Sequence, residues 1–379
     1  MIDLQITRKH IDEIDSKIVE LFEQRMQEAS EVAAYKIATG KPVFDKEREE
    51  DKLNRLEELS HSDFNKRAVR ELFEQIMSIS RKYQYSILPQ TEPVTDFEKI
   101  EKLPVNENTK VVYYGVEGTH TQQAMEEFFG ENIISMNCPT FEGVMEKIEN
   151  GEADYGVLPI ENSSTGGIST NYDLLLNYNH AIVGEHIMKI NQCMLALPGT
   201  DIKECKTVFS HPQGILQCSE FLSHYKNLTP VEYASTAECA KKVAKDGDKS
   251  QCAIASKRAA KAYGLEVVKD AIQSEKNNST RFIIIAKNRV YTEASNKVAL
   301  CIELPHESGS LYNILSHFIY NDLNLTQIES RPIQGKAWQY RFFIDVEGNL
   351  DSPAMKNALR GVQAEAKSLV VLGNFKTQF

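Results

Sequence analysis

The N-terminal part of the chain has a long amphipathic pattern. Apolar residues recur at helical intervals from Ile6 to Ile37, and Gly40 and Pro42 end the pattern. Such a helix would be about 48 Å long, which is too long to bury its apolar stripe against one small domain. Further helices are expected over residues 46–59 and 65–87. Residues 1–88 therefore predict an all-α bundle that a second copy of the chain completes.

The rest of the chain changes pattern twice. Residues 89–109 are polar, acidic and punctuated by proline, which indicates a linker. Over residues 110–290 short apolar segments alternate with helical ones, which predicts a mostly parallel α/β sheet in two small lobes. Residues 297–379 follow a βαββαβ order, typical of a ferredoxin-like α+β domain.

Composition excludes several classes of protein. The net charge is −11 and no basic stretch stands out, so nucleic acid is not expected as a partner. The longest apolar runs are shorter than the roughly 18 residues that a membrane helix needs. No secretory signal is visible, and the seven scattered cysteines lack zinc-site spacing. We expect a cytoplasmic protein with reduced thiols and without metal or cofactor.

The helical part carries cations that a buried bundle would not need. Arg25 and Lys36 are eleven residues apart, so they lie within about 20° of each other around a helix. Arg8 precedes Arg25 by about 26 Å along the axis, so the two can serve one small site only if they come from different chains. Taken singly, any one of these cations is more often a solvated surface charge than part of a site. The further polar residues of the suspected cluster are Asp45, Arg48, Glu49, Ser80 and Gln84.

These eight positions resemble the site of the all-helical chorismate mutases known as the AroQ class. The resemblance implies an intertwined dimer that rearranges chorismate to prephenate, with sites shared between chains. It implies that Arg8 of the partner and Arg25 hold carboxylates, and that Lys36 and Gln84 are catalytic at the ether oxygen. It assigns the ring hydroxyl to Glu49 and supporting roles to Arg48, Asp45 and Ser80. Fixed cations and donors suit this reaction, since it needs no nucleophile and no acid–base pair.

Polar segments lie at the ends of three predicted strands of the α/β region. They are Glu161–Gly167, Ser210–Gln213 and Asn278–Arg281, and each could also be ordinary turn or capping chemistry. Three such segments in one unit are suited to binding carboxylates between lobes. Gly115 and Gly118 do not form a dinucleotide-binding motif, and no nucleophile elbow or phosphate loop is present.

The motifs LPIENSSTGGI, SHPQ, IASKRAAKAYGL and NNSTRF occur in order and resemble prephenate dehydratase. The resemblance implies a fold like the type II periplasmic binding proteins, with the site between the lobes. It implies Thr280 as the catalytic group, with Glu161 or His211 as the proton source. The segment YYGVEGTHT (residues 113–121) resembles an earlier motif of the family, from which Val116 and His120 depart. The remaining substrate-binding residues that it implies are Asn162, Ser163, Ser210, Gln213 and Arg281.

The C-terminal part resembles an ACT domain, a sensor of amino acids. Residues 329–332 match the ESRP motif of that family, and residues 309–312 match its GALV motif at two of four positions. The resemblance implies that phenylalanine binds between paired subunits as an inhibitor. A dimerisation domain without an effector is the alternative. The implied effector-binding residues are Gly309, Ser310, Leu311, Glu329, Ser330, Arg331 and Pro332.

Together the three resemblances imply a bifunctional enzyme of phenylalanine biosynthesis that acts as a homodimer or larger homo-oligomer. A prephenate dehydrogenase is one alternative, but the nucleotide-binding motif it needs is missing. A non-catalytic solute-binding or transcriptional sensor is another, and it would not explain Thr280 or the helical cations. A preference for arogenate instead of prephenate stays open.

Overall fold

The computed structural model describes residues 3–88, 94–336 and 338–377. It divides into two compact units, one formed by residues 1–96 and 301–370 and the other by residues 97–300 and 371–379. Pro89 and Pro93 of the predicted linker lie outside the described residues. Among the residues described, no helix is both long and apolar enough to cross a membrane.

Three helices form the N-terminal part of the first unit, and their ends follow from the sequence. Asp3, Asp45 and Ser62 each cap a helix by accepting a hydrogen bond from a backbone amide in its first turn. Gly40 ends the first helix in the left-handed conformation, with φ of 69°. The helices are α1 (Leu4–Thr39), α2 (Lys46–Glu58) and α3 (Asp63–Ile87).

The apolar face of α1 is largely exposed in the single chain. Its buried residues are Ala29 and Ala33, both in its C-terminal half. In the N-terminal half Ile14 is 55% exposed and Ile18 is 54% exposed. Leu72 of α3 was expected to face inward and is 53% exposed, because the core of this single-chain bundle reaches only the C-terminal half of α3. An exposed apolar stripe of this length is typical of an interaction surface.

The second unit is an α/β structure whose elements follow closely in sequence. Its strands are β1 (Glu98–Ile100), β2 (Lys110–Tyr114), β3 (Ile134–Cys138), β4 (Tyr155–Asn162), β5 (Gly166–Gly167), β6 (Ala181–Lys189), β7 (Cys193–Ala196), β8 (Thr207–Ser210), β9 (Thr229–Glu232), β10 (Gln251–Ala255), β11 (Glu266–Lys269), β12 (Ser279–Ala286) and β13 (Val290–Thr292). Its helices are α4 (His120–Phe129), α5 (Phe141–Glu149), α6 (Ser169–Tyr178), α7 (Pro212–Gln217), α8 (Ser219–Ser223), α9 (Thr236–Asp246) and α10 (Lys257–Tyr263), with a short 3₁₀ turn at Ile202–Glu204.

The strands of this unit form two main sheets, one in each lobe. The first has the order β6–β12–β4–β2–β3, and the second has the order β11–β7–β10–β8–β9. The prediction of a mostly parallel sheet is wrong. β12 runs antiparallel to both β4 and β6, and β7 runs antiparallel to β10 and β11. The physical reason is that β12 returns late in the chain and inserts between two earlier strands of the first sheet.

Part of the predicted linker is structured. β1 pairs in parallel with β13, and Glu98 lies opposite Val290 in that pair. The structured unit therefore begins about a dozen residues before the predicted boundary at residue 110. α6 and β6 were not predicted, and the single helix expected to run through Leu222 is divided between α7 and α8 at Cys218.

The second sheet is buried on both faces. In β7, Cys193 and Leu195 contribute to one apolar cluster, whereas Met194 and Ala196 contribute to another. A strand that is apolar at every position is the pattern expected when helices cover both sides of a sheet. The seven cysteines are all buried free thiols, and the described residues hold no group of metal-ligating side chains.

The C-terminal part has the predicted βαββαβ order. Its strands are arranged in the order β15–β16–β14–β17. Within the first unit, α11 and α12 pack against each other and against α3. The elements are β14 (Lys297–Glu303), α11 (Ser310–Tyr320), β15 (Leu325–Pro332), β16 (Tyr340–Glu347), α12 (Pro353–Glu365) and β17 (Ser368–Phe375).

Candidate active sites

A cavity of about 180 Å³ lies among α1, α2 and α3. Its lining residues include five cationic side chains and three acidic ones. Seven of the eight residues predicted from the sequence line it: Arg25, Lys36, Asp45, Arg48, Glu49, Ser80 and Gln84. A small cavity with an excess of positive charge is suited to a dianionic ligand.

Helix ends and helix faces bring these residues together. Asp45 caps α2 by accepting from the Arg48 amide at 3.2 Å, which sets Arg48 and Glu49 in the first turn of that helix. Arg25 Nη1 donates to Ser80 Oγ, across from α1 to α3. Lys36 Nζ donates to Val43 O at 2.6 Å and lies 3.3 Å from Gln84 Oε1. Asp45 therefore contributes to the cavity wall through the backbone of α2.

Burial in the cavity disfavours the charged forms of Arg25 and Lys36. Burial lowers the pKa of Arg25, and Glu49 partly offsets this effect. Burial also lowers the pKa of Lys36, and repulsion from Arg48 adds to the effect. A negative ligand in the cavity would relieve both costs, since it favours the charged form of each group.

Arg8 is the predicted residue that does not line the cavity. It lies exposed near the start of α1, about 26 Å along the helix axis from Arg25. Within one chain the two side chains cannot contact the same small ligand.

Sequence reasoning missed Arg81, which also lines the cavity. Its side chain is 8% exposed and forms ion pairs with Glu49 and Glu365. A signal for it was present, because Met77, Ser80, Arg81 and Gln84 follow the i, i+3, i+4, i+7 spacing of one helix face.

In the second unit, two of the three polar segments meet. Thr280 of β12 is paired directly opposite Asn162 of β4. Asn162 Nδ2 donates to Asn278 Oδ1 at 2.7 Å and to Thr280 Oγ1 at 2.9 Å. All three side chains are at least nine-tenths buried. Because the Thr280 oxygen accepts this bond, its hydrogen is kept for donation to another group.

The segments around this cluster are tied to each other by hydrogen bonds. Ser163 Oγ accepts from the Ser279 amide at 2.9 Å, and Ser163 Oγ also donates to Asn277 O at 3.3 Å. Ser164 Oγ donates to Glu275 at 2.8 Å. The ends of β4 and β12 are thus held in a fixed relative position.

Arg281 carries a charge that carboxylates of this unit already match. Its Nε donates to Glu185, whose side chain is fully buried on β6, and its Nη1 lies 3.8 Å from Glu161. Glu185 is also 3.0 Å from Lys297 Nζ and accepts from Thr377 Oγ1 at 2.6 Å. Burial would raise the pKa of Glu185, but Arg281 and Lys297 outweigh it and lower that pKa. The guanidinium of Arg281 is therefore part of a buried ionic cluster that sequence reasoning missed, since β6 itself was not predicted.

The third polar segment lies in the other sheet, where its hydrogen bonds support the sheet and the start of a helix. Ser210 was expected to contact substrate, but it is completely buried and its hydroxyl donates to Ile254 O at 3.0 Å. This bond joins β8 to β10 inside the sheet, which gives the Ser210 hydroxyl a structural role. His211 Nδ1 accepts from the Gln213 amide at 3.2 Å and caps α7.

The segment YYGVEGTHT, residues 113–121, connects the two lobes through a hydrogen bond. Ser256 Oγ donates to Gly118 O at 2.9 Å. Gly118 has φ of 85°, and a Cβ there would lie 2.9 Å from the Ala259 backbone, so the close approach requires glycine. Burial lowers the pKa of the neighbouring His120 to about 4, which keeps the imidazole neutral near pH 7.

The predicted effector residues lie on two elements of the C-terminal part. Gly309 caps α11 with φ of 78°, and Ser310 and Leu311 begin that helix. Residues 329–332 form the end of β15, where Glu329 and Arg331 share the half-buried face and Ser330 and Pro332 share the exposed face.

Comparison with known proteins agrees with this division of the chain. The family model of chorismate mutase type II matches residues 7–85, and that of prephenate dehydratase matches residues 111–290. The bifunctional chorismate mutase/prephenate dehydratase of Enterobacter agglomerans is 32% identical over 378 residues, which cover 98% of this chain and 95% of that protein.

Two solved structures resemble the chain over 71% of its length. Prephenate dehydratase from Arthrobacter aurescens, in complex with L-Phe, has a TM-score of 0.66 at 28% identity and is covered to 90%. A protein described as a novel type of quorum quenching acylase, GqqA, has a TM-score of 0.66 at 25% identity and is covered to 98%. The chain belongs to the family of bifunctional chorismate mutase/prephenate dehydratases and contains both enzyme domains.

Proposed function

We propose that this chain converts chorismate to prephenate in its helical domain and prephenate to phenylpyruvate in its α/β domain. The observation that carries the first step is the cation-rich cavity lined by Arg25, Lys36 and Arg48. The observation that supports the second is the buried Asn162–Thr280 pair. The domain limits predicted from the sequence, 1–88, 110–290 and 297–379, are part of this proposal.

The mutase step needs a folded dianion and stabilisation of negative charge at one oxygen. Arg25 would hold a carboxylate, with Ser80 fixing its guanidinium. Lys36 and Gln84 lie 3.3 Å apart and would together contact the ether oxygen, where negative charge grows as the carbon–oxygen bond breaks. Glu49 would accept from the ring hydroxyl. Catalysis is then positioning and electrostatics, with no proton transferred.

We propose that the mutase works as an intertwined dimer in which Arg8 reaches the cavity of the other copy. The exposed Ile14 and Ile18 on α1 support this arrangement, because they form an apolar face that one chain leaves uncovered. The distance of Arg8 from Arg25 along α1 supports it as well.

The dehydratase step removes CO₂ and the ring hydroxyl of prephenate, and formation of the aromatic ring drives it. Thr280 would donate its hydroxyl hydrogen to the departing oxygen, with Asn162 fixing the hydroxyl. Glu161 or His211 would be the ultimate source of the proton. Asn162, Ser163, Gln213 and Arg281 would position the substrate. The guanidinium of Arg281 would be held for this role by its hydrogen bond to Glu185.

We also propose that the C-terminal part is an ACT domain that binds phenylalanine and inhibits the enzyme. The βαββαβ order and the left-handed Gly309 at the start of α11 support this role. Inhibition requires that phenylalanine bind one state of the enzyme more tightly than another.

One assay tests the whole proposal. Purified protein receives chorismate without added cofactor or metal, and phenylpyruvate is followed by its absorbance with and without phenylalanine. Formation of prephenate alone would contradict the second step, and formation of neither product would contradict both. Full activity in the presence of saturating phenylalanine would contradict the regulatory role.

A further inference from the structure

Arg81 occupies an unusual place in the mutase cavity. It follows Ser80 on α3 and lies one turn before Gln84, so it shares their face of the helix. Its side chain is 8% exposed, and its guanidinium carbon lies 4.8 Å from the centre of the Phe44 ring. A charge buried this far needs partners that match it.

Two carboxylates match that charge from opposite sides. Nη1 of Arg81 donates to Glu49, at the start of α2. Nε and Nη2 contact the two oxygens of Glu365 at 2.8 and 3.4 Å, a two-pronged arrangement that fixes the guanidinium plane. Arg81 differs in this respect from Arg25, whose hydrogen bond within the cavity goes to a neutral hydroxyl. The charge of Arg81 is therefore occupied, and its role is distinct from binding a carboxylate of the substrate.

Glu365 is the last residue of α12, 284 positions from Arg81 along the chain, and it is itself held in place. Its side chain is 7% exposed, and its Oε1 lies 3.3 Å from Nε2 of the buried His317 on α11. His317 packs directly on Gly361, where a Cβ would lie 2.2 Å from its ring. Glu365 thus presents its carboxylate from a rigid junction of α11 and α12.

We propose that Arg81 is a positioning residue of the mutase site, which fixes the Glu49 carboxylate at the cavity wall, and that Glu365 completes this site by fixing Arg81. The inference rests on the mutase function proposed above. It makes the C-terminal part a structural component of the mutase site, in addition to any regulatory role.

The geometry explains why both Arg81 and Glu365 are needed to fix the Glu49 carboxylate. The guanidinium is planar, so contacts with Glu365 on two of its nitrogens determine the direction of the third, which points at Glu49. Without the charge of Glu365, Arg81 retains one carboxylate partner and is free to turn with it. Displacement of a catalytic contact by about 1 Å can reduce a rate by up to about a hundredfold.

The test measures mutase kinetics of Glu365→Gln in the full-length protein. We expect kcat for chorismate to fall about tenfold or more, with a smaller change in KM, since Arg25 and Lys36 still bind the dianion. Dehydratase activity with prephenate supplied directly is expected to stay at the wild-type level. Arg81→Lys, which keeps the charge and loses the planar fork, is expected to show the same loss.

Glu307→Gln provides a matched control. The Lys46–Glu307 ion pair also joins α2 to the C-terminal part, at 2.7 Å, but both side chains are more than half exposed. The chemical change is identical, and an exposed pair contributes little. We expect wild-type mutase kinetics for this variant.

A double-mutant cycle separates positioning from general stability. If Glu365 acts through Glu49, then Glu49→Gln/Glu365→Gln will be no slower than Glu49→Gln alone. Equal fold-losses in both backgrounds would overturn the inference, as would a Glu365→Gln variant that matches Glu307→Gln. If Glu365→Gln does not fold, the same cycle with Arg81→Lys decides. A wild-type protein without mutase activity would instead refute the proposed function itself.

Discussion

Asn162 and Thr280 face each other across strands β4 and β12, with Asn162 Nδ2 2.9 Å from Thr280 Oγ1. The bond fixes the threonine rotamer from a neighbouring strand whose own position is set by the sheet. A hydroxyl held in this way can donate in one chosen direction, which is what a leaving group needs. It connects the fold of the second unit directly to the proposed dehydratase chemistry.

Replacing Thr280 by valine keeps the shape of the side chain and removes the hydroxyl. We expect dehydratase kcat to fall at least about a hundredfold, the range that a lost proton donor costs. Mutase activity should not change. Thr280→Ser is the matched control and should retain most of the activity, because it keeps the donor. A valine variant with most of the wild-type dehydratase rate would remove Thr280 from the mechanism.

Replacing Lys36 by methionine removes one of the two donors proposed at the ether oxygen. Loss of one such donor lowers a rate by about a hundredfold to a thousandfold, so we expect mutase kcat to fall by that factor. Dehydratase activity, measured by supplying prephenate, serves as the internal control. Equal loss of both activities would indicate that Lys36 supports folding instead of catalysis.

The shared mutase site predicts complementation between two inactive variants. Arg8→Ala and Arg25→Ala should each lack mutase activity. In a mixed dimer, one of the two sites combines the intact Arg8 of one copy with the intact Arg25 of the other. Random association makes about half of all dimers mixed, so co-refolded protein should regain about a quarter of the wild-type activity. Mixed protein as inactive as its parents would show that Arg8 and Arg25 do not meet across chains.

Local sequence signals predicted those parts of the mutase cavity that depend on helix periodicity and capping. Asp45 fixes the start of α2, and the spacing of Arg25 and Lys36 fixes their common face on α1. Arg81 could have been predicted in the same way from its spacing to Gln84. Glu365 could not, because its contact with Arg81 joins residues 284 positions apart, and no local pattern encodes such a pairing.

In the α/β unit, too, local patterns predicted some elements, whereas others depend on contacts between distant parts of the chain. The strands β2, β4 and β12 were recognised because their apolar runs are uninterrupted. The run of β6 contains Glu185, which a pattern of apolar residues treats as the end of a buried strand. Its burial becomes favourable only when Arg281 and Lys297, from distant parts of the chain, supply the matching charges. The antiparallel direction of β12 likewise depends on which strands it joins.

Lys82 on α3 predicts a dependence of stability on pH. The residue is 4% exposed, and its ammonium donates to Ser78 Oγ at 2.9 Å. Burial lowers the pKa of Lys82 to about 8, with repulsion from Arg81 adding to the effect and attraction by Glu365 opposing it. The unfolded chain would titrate near pH 10.5. Between these values the unfolded state binds more protons than the folded state, so the contribution of Lys82 to the free energy of unfolding increases with pH in that window.

We therefore expect Lys82→Met to be more stable than the wild type at pH 7, by about 2–3 kcal/mol. The gain should shrink from pH 8 upward and level off above about pH 10.5, because the wild-type lysine becomes neutral in the folded state first and then in both states. Urea unfolding of the two proteins, followed by helical circular dichroism at a series of pH values, measures the difference. Lys66→Met, which replaces a half-exposed lysine of the same helix, is the matched control. A gain for Lys82→Met that is constant from pH 7 to pH 10.5 would mean that the lysine is charged throughout, with its ammonium accommodated by Ser78 and the carboxylate of Glu365.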